Sequence, residues 1–261
     1  MTDNSTFEIL GWVRCAAKGF QDVPSEGLPA TLEMRPDLEP ALEGLFPGLY
    51  IYVIVEFHHA NPHILTASPG TPQQRGAFAL RSSDRPNRIG MTLTRIERIQ
   101  GTNIDVNWID FSDGTPIFDL KRYNPRWECV FSVPRDDRRH FERQIARESL
   151  VKVLARPIEC FAGPDAPEIH PLAVAAAELV QGHNVFLGDP NLLAHIRGAG
   201  TLVDCVQGML GARFGNGRLS VELQPEVTAG GEITLTLGPR TWLITITADH
   251  YTLQAFKTSN G

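Results

Sequence analysis

The sequence predicts a mainly β N-terminal domain followed by a smaller α+β domain, and three observations carry that prediction. Apolar residues in the first half come in short alternating or β-branched runs, at Leu49 to Phe57, Met91 to Ile99 and Thr102 to Ile109, which is strand patterning. A proline-rich stretch from Arg156 to Pro171 reads as a linker and divides the chain into domains 1–157 and 158–261. Beyond it, an Ala-rich helical run is followed by further alternating segments.

Taken in order, Phe7 to Cys15 reads as the opening strand and Ala16 to Pro29 as a loop. Met34 to Leu45, with Pro36 near its start and apolar residues at Leu38, Leu42 and Leu45, fits a short amphipathic helix. Leu49 to Phe57 is almost continuously apolar, the pattern of a central strand buried on both faces. His58 and His59 end it, either as plain loop histidines or as ligand contacts. With His63 they lack a dedicated metal-ligand spacing, so no metal site is expected. Ser132 to Leu154 is dense in both charges, and Arg139, Arg143 and Arg147 would share one face of a helix. That helix is read either as solvated and laced by ion pairs or as an RNA phosphate contact. In the second domain, helices are expected at Leu172 to Val180, Pro190 to Ile196 and Leu202 to Leu210, and strands at Leu219 to Leu223, Glu232 to Leu237 and Thr241 to Ala248.

The formal net charge of −6 argues against bulk electrostatic capture of nucleic acid but leaves room for a local basic face. The four cysteines, Cys15, Cys129, Cys160 and Cys205, lack CxxC spacing, which suits reduced thiols. No charged leader precedes an apolar core, and no apolar run approaches the ~20 residues that span a bilayer. A cytoplasmic protein with no membrane association is expected.

The densest concentration of special residues lies between Gly76 and Tyr123. The loop Arg81-Ser-Ser-Asp-Arg85-Pro-Asn87-Arg88-Ile-Gly90 gathers guanidinium groups around a proline that stiffens the backbone and a glycine that allows close approach, a place to hold an anion. A second loop, Asp110-Phe-Ser-Asp113-Gly-Thr-Pro116, offers carboxylates that cap backbone donors or receive a hydroxyl, an amine or a cation. No GxGxxG joins a strand to a helix, so a Rossmann cofactor site is not supported.

These loops resemble those of the TrmO-like (TsaA-like) S-adenosylmethionine-dependent methyltransferases, whose pattern runs roughly GVFATRSPFRPNPIG and then DGTPVLDIKPY. Gly76-Ala-Phe78, Arg81-Ser82, Arg85-Pro86-Asn87, Ile89-Gly90 and Asp113-Gly-Thr-Pro116 stand in place. Phe7 to Arg14, Leu42-Glu-Gly-Leu45 and Tyr50 to His58 look like the family's earlier segments, so the likeness covers roughly half the chain. It implies a single-sheet TsaA-like β-barrel, S-adenosylmethionine as cofactor, a homodimer, and methyl transfer to a nitrogen of a tRNA adenosine derivative. By its motifs, Pro24, Ser25, Glu26, His58, His59, Arg81, Met91, Asp110, Phe111, Ser112 and Asp113 would line the cofactor. Arg85, Asn87, Arg88, Lys121 and Tyr123 would contact substrate, with Asp119 orienting one of the cations; an Arg85 to Asp119 salt bridge closing the barrel is the competing reading. Pro24-Ser25-Glu26 departs from the family's Pro-Arg-Gln, losing a cation and gaining an acid. That change keeps a small-molecule methyl acceptor, or a non-catalytic S-adenosylmethionine-binding protein, beside the tRNA reading. No catalytic base is identified.

In the second domain, Val203-Asp204-Cys-Val-Gln207-Gly, followed by Phe214-Gly215-Asn-Gly217, is similar to a motif of the E-type domains of formylmethanofuran dehydrogenase. The glycines fit either a ligand site beside Asp204 and Gln207 or a plain helix end and turn.

Overall fold

A computed structural model describes residues 7–68, 74–130 and 137–257. It divides into two compact units, Met1–Val130 and Phe131–Gly261.

The first unit holds β1 (Gly11–Arg14), β2 (Leu28–Met34), β3 (Tyr50–Glu56), a short ribbon of β4 (Thr66–Ala67) and β5 (Arg75–Gly76), β6 (Ile89–Gln100), β7 (Asn103–Ile109), β8 (Pro116–Arg122) and the one-turn helix α1 (Pro125–Glu128). Six of the strands close into a barrel in the order β1-β2-β7-β6-β3-β8, every neighbouring pair antiparallel. Alternation fills its interior. Ile51, Val53 and Val55 of β3 point inward with no solvent exposure, against Val13, Leu32, Ile104, Ile109 and Ile117. Side chains occupy the whole lumen of so small a barrel, so the ligand space must lie outside it. The expectation that β3 is buried on both faces is corrected: Tyr50, Tyr52 and Ile54, on the outer face, are only half-buried, because a sheet closed on itself covers one face alone. The helix expected from Met34 to Leu45 is a 3-10 segment over Pro36–Leu42, with Pro40 inside it removing a backbone donor.

The second unit contains α2 (Arg139–Glu142), α3 (Arg147–Ala162), α4 (Ile169–His183), β9 (Leu193–Gly198), α5 (Gly200–Leu210), β10 (Leu219–Leu223), β11 (Gly231–Leu237), β12 (Arg240–Ile246) and β13 (Tyr251–Lys257). Its sheet runs β10-β9-β11-β12-β13. Only β9 and β10 are parallel, and α5 connects them. Leu150, Leu154 and Ile158 of α3, Leu172 and Leu179 of α4, and Leu202 and Met209 of α5 share a core with Ile196, Ile233, Leu235, Trp242 and Ile244.

Three expectations change here. The division between units falls at 130/131 rather than 157/158, because α3 runs through Pro157 to Ala162 and buries its apolar face in the second core. The charged stretch is not one helix: α2 stops at Glu142, and α3 begins at Arg147. Arg135 and Asp136 lie outside the described residues. Arg139 pairs with Asp137 at 2.6 Å and donates to Asn184 O at 3.0 Å, Arg143 donates to Asn184 Oδ1 at 3.3 Å, and Arg147 meets Glu178 at 3.4 Å, so all three cations are engaged within this unit. Finally, Pro190 to Ile196 is not a helix. Leu193 onward forms β9, whose Ala194, Ile196 and Gly198 alternate into the core.

The glycines of the second motif do structural work. Gly208 lies where α5 crosses α3, and an added Cβ would stand 2.5 Å from Pro157 O and 2.9 Å from Ile158 Cα. Gly211 and Gly217 adopt the left-handed conformation that ends a helical segment.

Candidate functional site

The two loops singled out in the sequence meet in one cavity of about 460 Å³ in the first unit. Phe57, Ile89, Met91 and Phe111 give it apolar walls, and Arg81, Arg85, Asn87 and Asp110 bring charge and hydrogen-bonding capacity. Phe78 and Leu80 complete the lining, Phe78 lying 84% exposed.

Local backbone structure explains how the walls are placed. Phe57 follows β3 directly and stacks edge-on against Phe111 at 5.8 Å between ring centroids. Its ring lies across Gly90, where an added Cβ would come within 2.5 Å of Phe57 Cζ and 2.7 Å of Val55 Cγ2. Only a residue without a side chain fits there. The arginine loop turns through Arg88 in the left-handed region, at φ 53. Arg88 N donates to Arg85 O at 3.0 Å, and Phe57 N donates to Arg88 O at 2.7 Å, stitching the loop to the end of β3.

The charged groups are held individually. Arg81 Nη2 donates to the carbonyl oxygen of Met91, fixing the guanidinium beside the cavity. Asp110 accepts a hydrogen bond from Thr92 Oγ1. Thr92 is 1% exposed and points into the barrel, so an interior hydroxyl orients a carboxylate that lines the cavity. Strand alternation places Thr92 opposite in sense to Met91, but nothing in the sequence marks it as Asp110's partner. Phe57 is visible in the sequence only as a strand-end aromatic.

Other expected site residues fall around the cavity without lining it. Pro24, Ser25 and Glu26 form a turn closed by Gly27 N donating to Pro24 O at 2.8 Å. Gly27, at φ +72, abuts the end of β7, where a Cβ would lie 2.5 Å from Ile109 O, so the turn sits next to the residue preceding Asp110. The His58 and His59 rings lie 3.8 Å apart. Ser112 O accepts the Thr115 hydroxyl at 2.8 Å. Asp113 clasps the loop after β1: Lys18 Nζ donates to it at 2.8 Å and Cys15 N at 3.1 Å. Those two donors, Lys18 first, hold its carboxyl below the usual carboxylate range.

Arg88, expected at the substrate, pairs with Glu56 at 2.7 Å. Strand register puts Asp119 beside Ile54 and Lys121 beside Tyr52 on the outer face of the barrel, away from its filled interior. No Arg85 to Asp119 ion pair forms among the described residues; Arg85 lines the cavity. Tyr123 packs edge-on to Tyr52 at 6.0 Å. Burial, then a hydrogen bond with Cys129, pushes the Tyr123 hydroxyl up to about 12. Among the described residues no group of three or more His, Cys, Asp or Glu is arranged to hold a metal ion, and no helix is long and apolar enough to cross a membrane.

The first unit is thus a closed β-barrel domain with a cavity of mixed apolar and charged walls at its side. Residues 18–129 match the family model described as tRNA-methyltransferase O N-terminal domain. The chain is 40% identical over 62 residues to an S-adenosyl-L-methionine-binding protein of Archaeoglobus fulgidus, covering 24% of this chain and 45% of that one. It is 35% identical over 105 residues to a probable S-adenosyl-L-methionine-binding protein of Pyrococcus horikoshii, covering 38% and 75% respectively. A tRNA (adenine(37)-N6)-methyltransferase of Mus musculus is 34% identical over 103 residues, 36% of this chain and 24% of that one. The chain thus spans about half the length of the Archaeoglobus relative and a quarter of the mouse one. It belongs to the TrmO-like family.

Proposed function

We propose that this protein is a methyltransferase that binds S-adenosylmethionine in the Arg81/Asp110 cavity and methylates a nitrogen of a tRNA adenosine derivative. The observation that carries the reading is the convergence of Arg81, Asp110, Met91 and the Phe57/Phe111 pair on one space of about 460 Å³, within the range of small-molecule sites. The donor set fits the cofactor. Arg81 suits its carboxylate, Asp110 its ribose or the sulfonium side, and Met91 with Phe111 the faces of its adenine. When bound, the cofactor supplies an electrophilic methyl group on a sulfonium.

What the chain supplies is placement. Methyl transfer needs in-line approach in a site that orients both partners and excludes water. Asp110, held by Thr92, presents a fixed negative charge toward the cationic end of the ligand. Asn87 and Arg85, which line the cavity from the opposite loop, would meet the acceptor. Pro24-Ser25-Glu26, adjoining the base of the Asp110 loop, would complete the cofactor's surroundings together with His58, His59, Ser112 and Asp113. The protein is further proposed to work in the cytoplasm as a homodimer, and a solution mass near 29 kDa at micromolar concentration would contradict the dimer.

One observation favours a second acceptor class. Ser25-Glu26 stands where the family usually has Arg-Gln, and an acid there suits a small cationic metabolite better than a phosphate backbone. Calorimetric titration with S-adenosylmethionine and with its demethylated product tests the cofactor site, with micromolar binding expected for at least one. Transfer of labelled methyl to bulk tRNA, against a small-molecule extract, then separates the acceptors. Absence of binding by both cofactor forms would sink the reading.

A further inference from the structure

The outer face of β3 and β8 carries a strip of residues that the cavity does not use. Register places Tyr52 between Leu93 of β6 and Lys121 of β8, and Ile54 between Met91 and Asp119. Met91 lines the cavity. The strip therefore begins at the cavity's edge and reaches Lys121 on the order of 10 Å away, from strand spacing and rise. Beyond it β8 ends in Arg122, exposed but opposite the inward-pointing Ile51 and so turned away from the Lys121 face, and α1 presents the exposed Arg126 and Trp127.

Three features distinguish this strip from ordinary surface. Trp127 is 71% exposed, although an indole of that size is normally covered. Lys121, Arg122 and Arg126 are exposed and form no ion pair among the described residues. The acids nearby are few: Asp119 is spent partly on Leu120 N at 2.9 Å, and Glu128 accepts from Asn124 N. Tyr52 packs on Tyr123, and Tyr123 is hydrogen-bonded with Cys129, which directly follows the α1 turn.

We propose that this strip is a single-stranded RNA docking track, with Lys121 and Arg126 on phosphates and Trp127 stacking on a base. It rests on the tRNA reading of the cavity and extends it, since it names how the polymer beside the target nucleotide is held. Uncompensated cations beside an exposed indole are the chemistry that grips an unpaired strand. A second copy of this chain would instead call for an apolar face without unpaired cations at its centre.

The test uses the full chain, a fluorescently labelled unstructured RNA oligonucleotide and bulk tRNA, with S-adenosylmethionine titrated separately. Lys121→Glu with Arg126→Glu should weaken RNA binding at least tenfold and reduce the steepness of its salt dependence by about 1.4 in the log–log slope. Trp127→Ala should weaken it about tenfold at any salt, with Trp127→Phe recovering most of the loss. Both variants should bind S-adenosylmethionine as the parent does, which also shows that they fold. Unchanged RNA binding in these variants would overturn the track while leaving the tRNA reading in place. A parent protein that binds the cofactor but no RNA would overturn both. A fall in solution mass on Trp127→Ala, with RNA affinity intact, would give the face to a second copy and overturn the proposal.

Discussion

Arg81 and Asp110 show how much the cavity depends on single contacts. Arg81 is held at one nitrogen by the Met91 carbonyl, and in the proposed cofactor site its other donors would meet a carboxylate. Replacing it with alanine should raise the S-adenosylmethionine dissociation constant about 10- to 100-fold, from the loss of a charge-assisted hydrogen bond. Isothermal titration checks this, and an unchanged constant would remove Arg81 from the cofactor site. Asp113 makes a pH prediction. Its pKa is depressed by Lys18 and Cys15 N, so its contribution to stability is present above the unfolded carboxylate value, about 3.9, and fades as pH falls through the lowered folded value. Asp113→Asn should therefore narrow the stability gap to the parent as the solution is acidified below about pH 4, which denaturant melts across that range would reveal.

At the scale of elements, glycines decide which segments can approach. Gly208 lets α5 cross α3 with backbone close to backbone, so Gly208→Val should destabilise the second unit by about 1–3 kcal/mol through overpacking. Thermal melts would measure it, and a neutral result would mean that α3 yields at Pro157. Gly90 does the same for the Phe57 ring. The arginine-rich loop, the Asp113-Gly-Thr-Pro turn, most strands and helices α4 and α5 were legible in the sequence because each has a strong local signal. Others were not: β2, β8 and β13 carry no expectation, the helix expected from Met34 to Leu45 is a 3-10 segment, and three further segments misled. Helix α3 contains Pro157, which locally reads as a stop, yet Leu150, Leu154 and Ile158 are each at most 8% exposed, and that burial outweighs the missing hydrogen bond. Strand β9 follows a proline and is short, so its alternation was masked by a helical count. The charged run breaks between Glu142 and Arg147 because Gln181 Nε2 donates to the carbonyl oxygens of Glu142 and Ile145, at 3.1 Å each, satisfying them outside a helical ladder.

At the scale of the molecule, two separate cores imply two units with their own stability. The barrel core draws on residues from Val13 to Ile117, and the second core begins at Leu150. A fragment of residues 1–130 should therefore fold and retain S-adenosylmethionine binding within about tenfold of the full chain, since every residue lining the cavity lies inside it. A fragment that folds but fails to bind would show that the cavity needs more than the barrel.

The sequence by itself determined the mainly β character of the first half, the two loops that carry the charges and the family to which the chain belongs, because periodicity and motif spacing are local properties of the chain. Only the tertiary structure decided which of those charges share a space. Arg81 and Asp110 line one cavity while Arg88 turns to Glu56 and Asp113 to Lys18. Barrel closure sets which strand faces meet, and hydrogen-bond competition among neighbours far apart in the chain sets where each side chain points. Neither is written in the order of residues along a single segment.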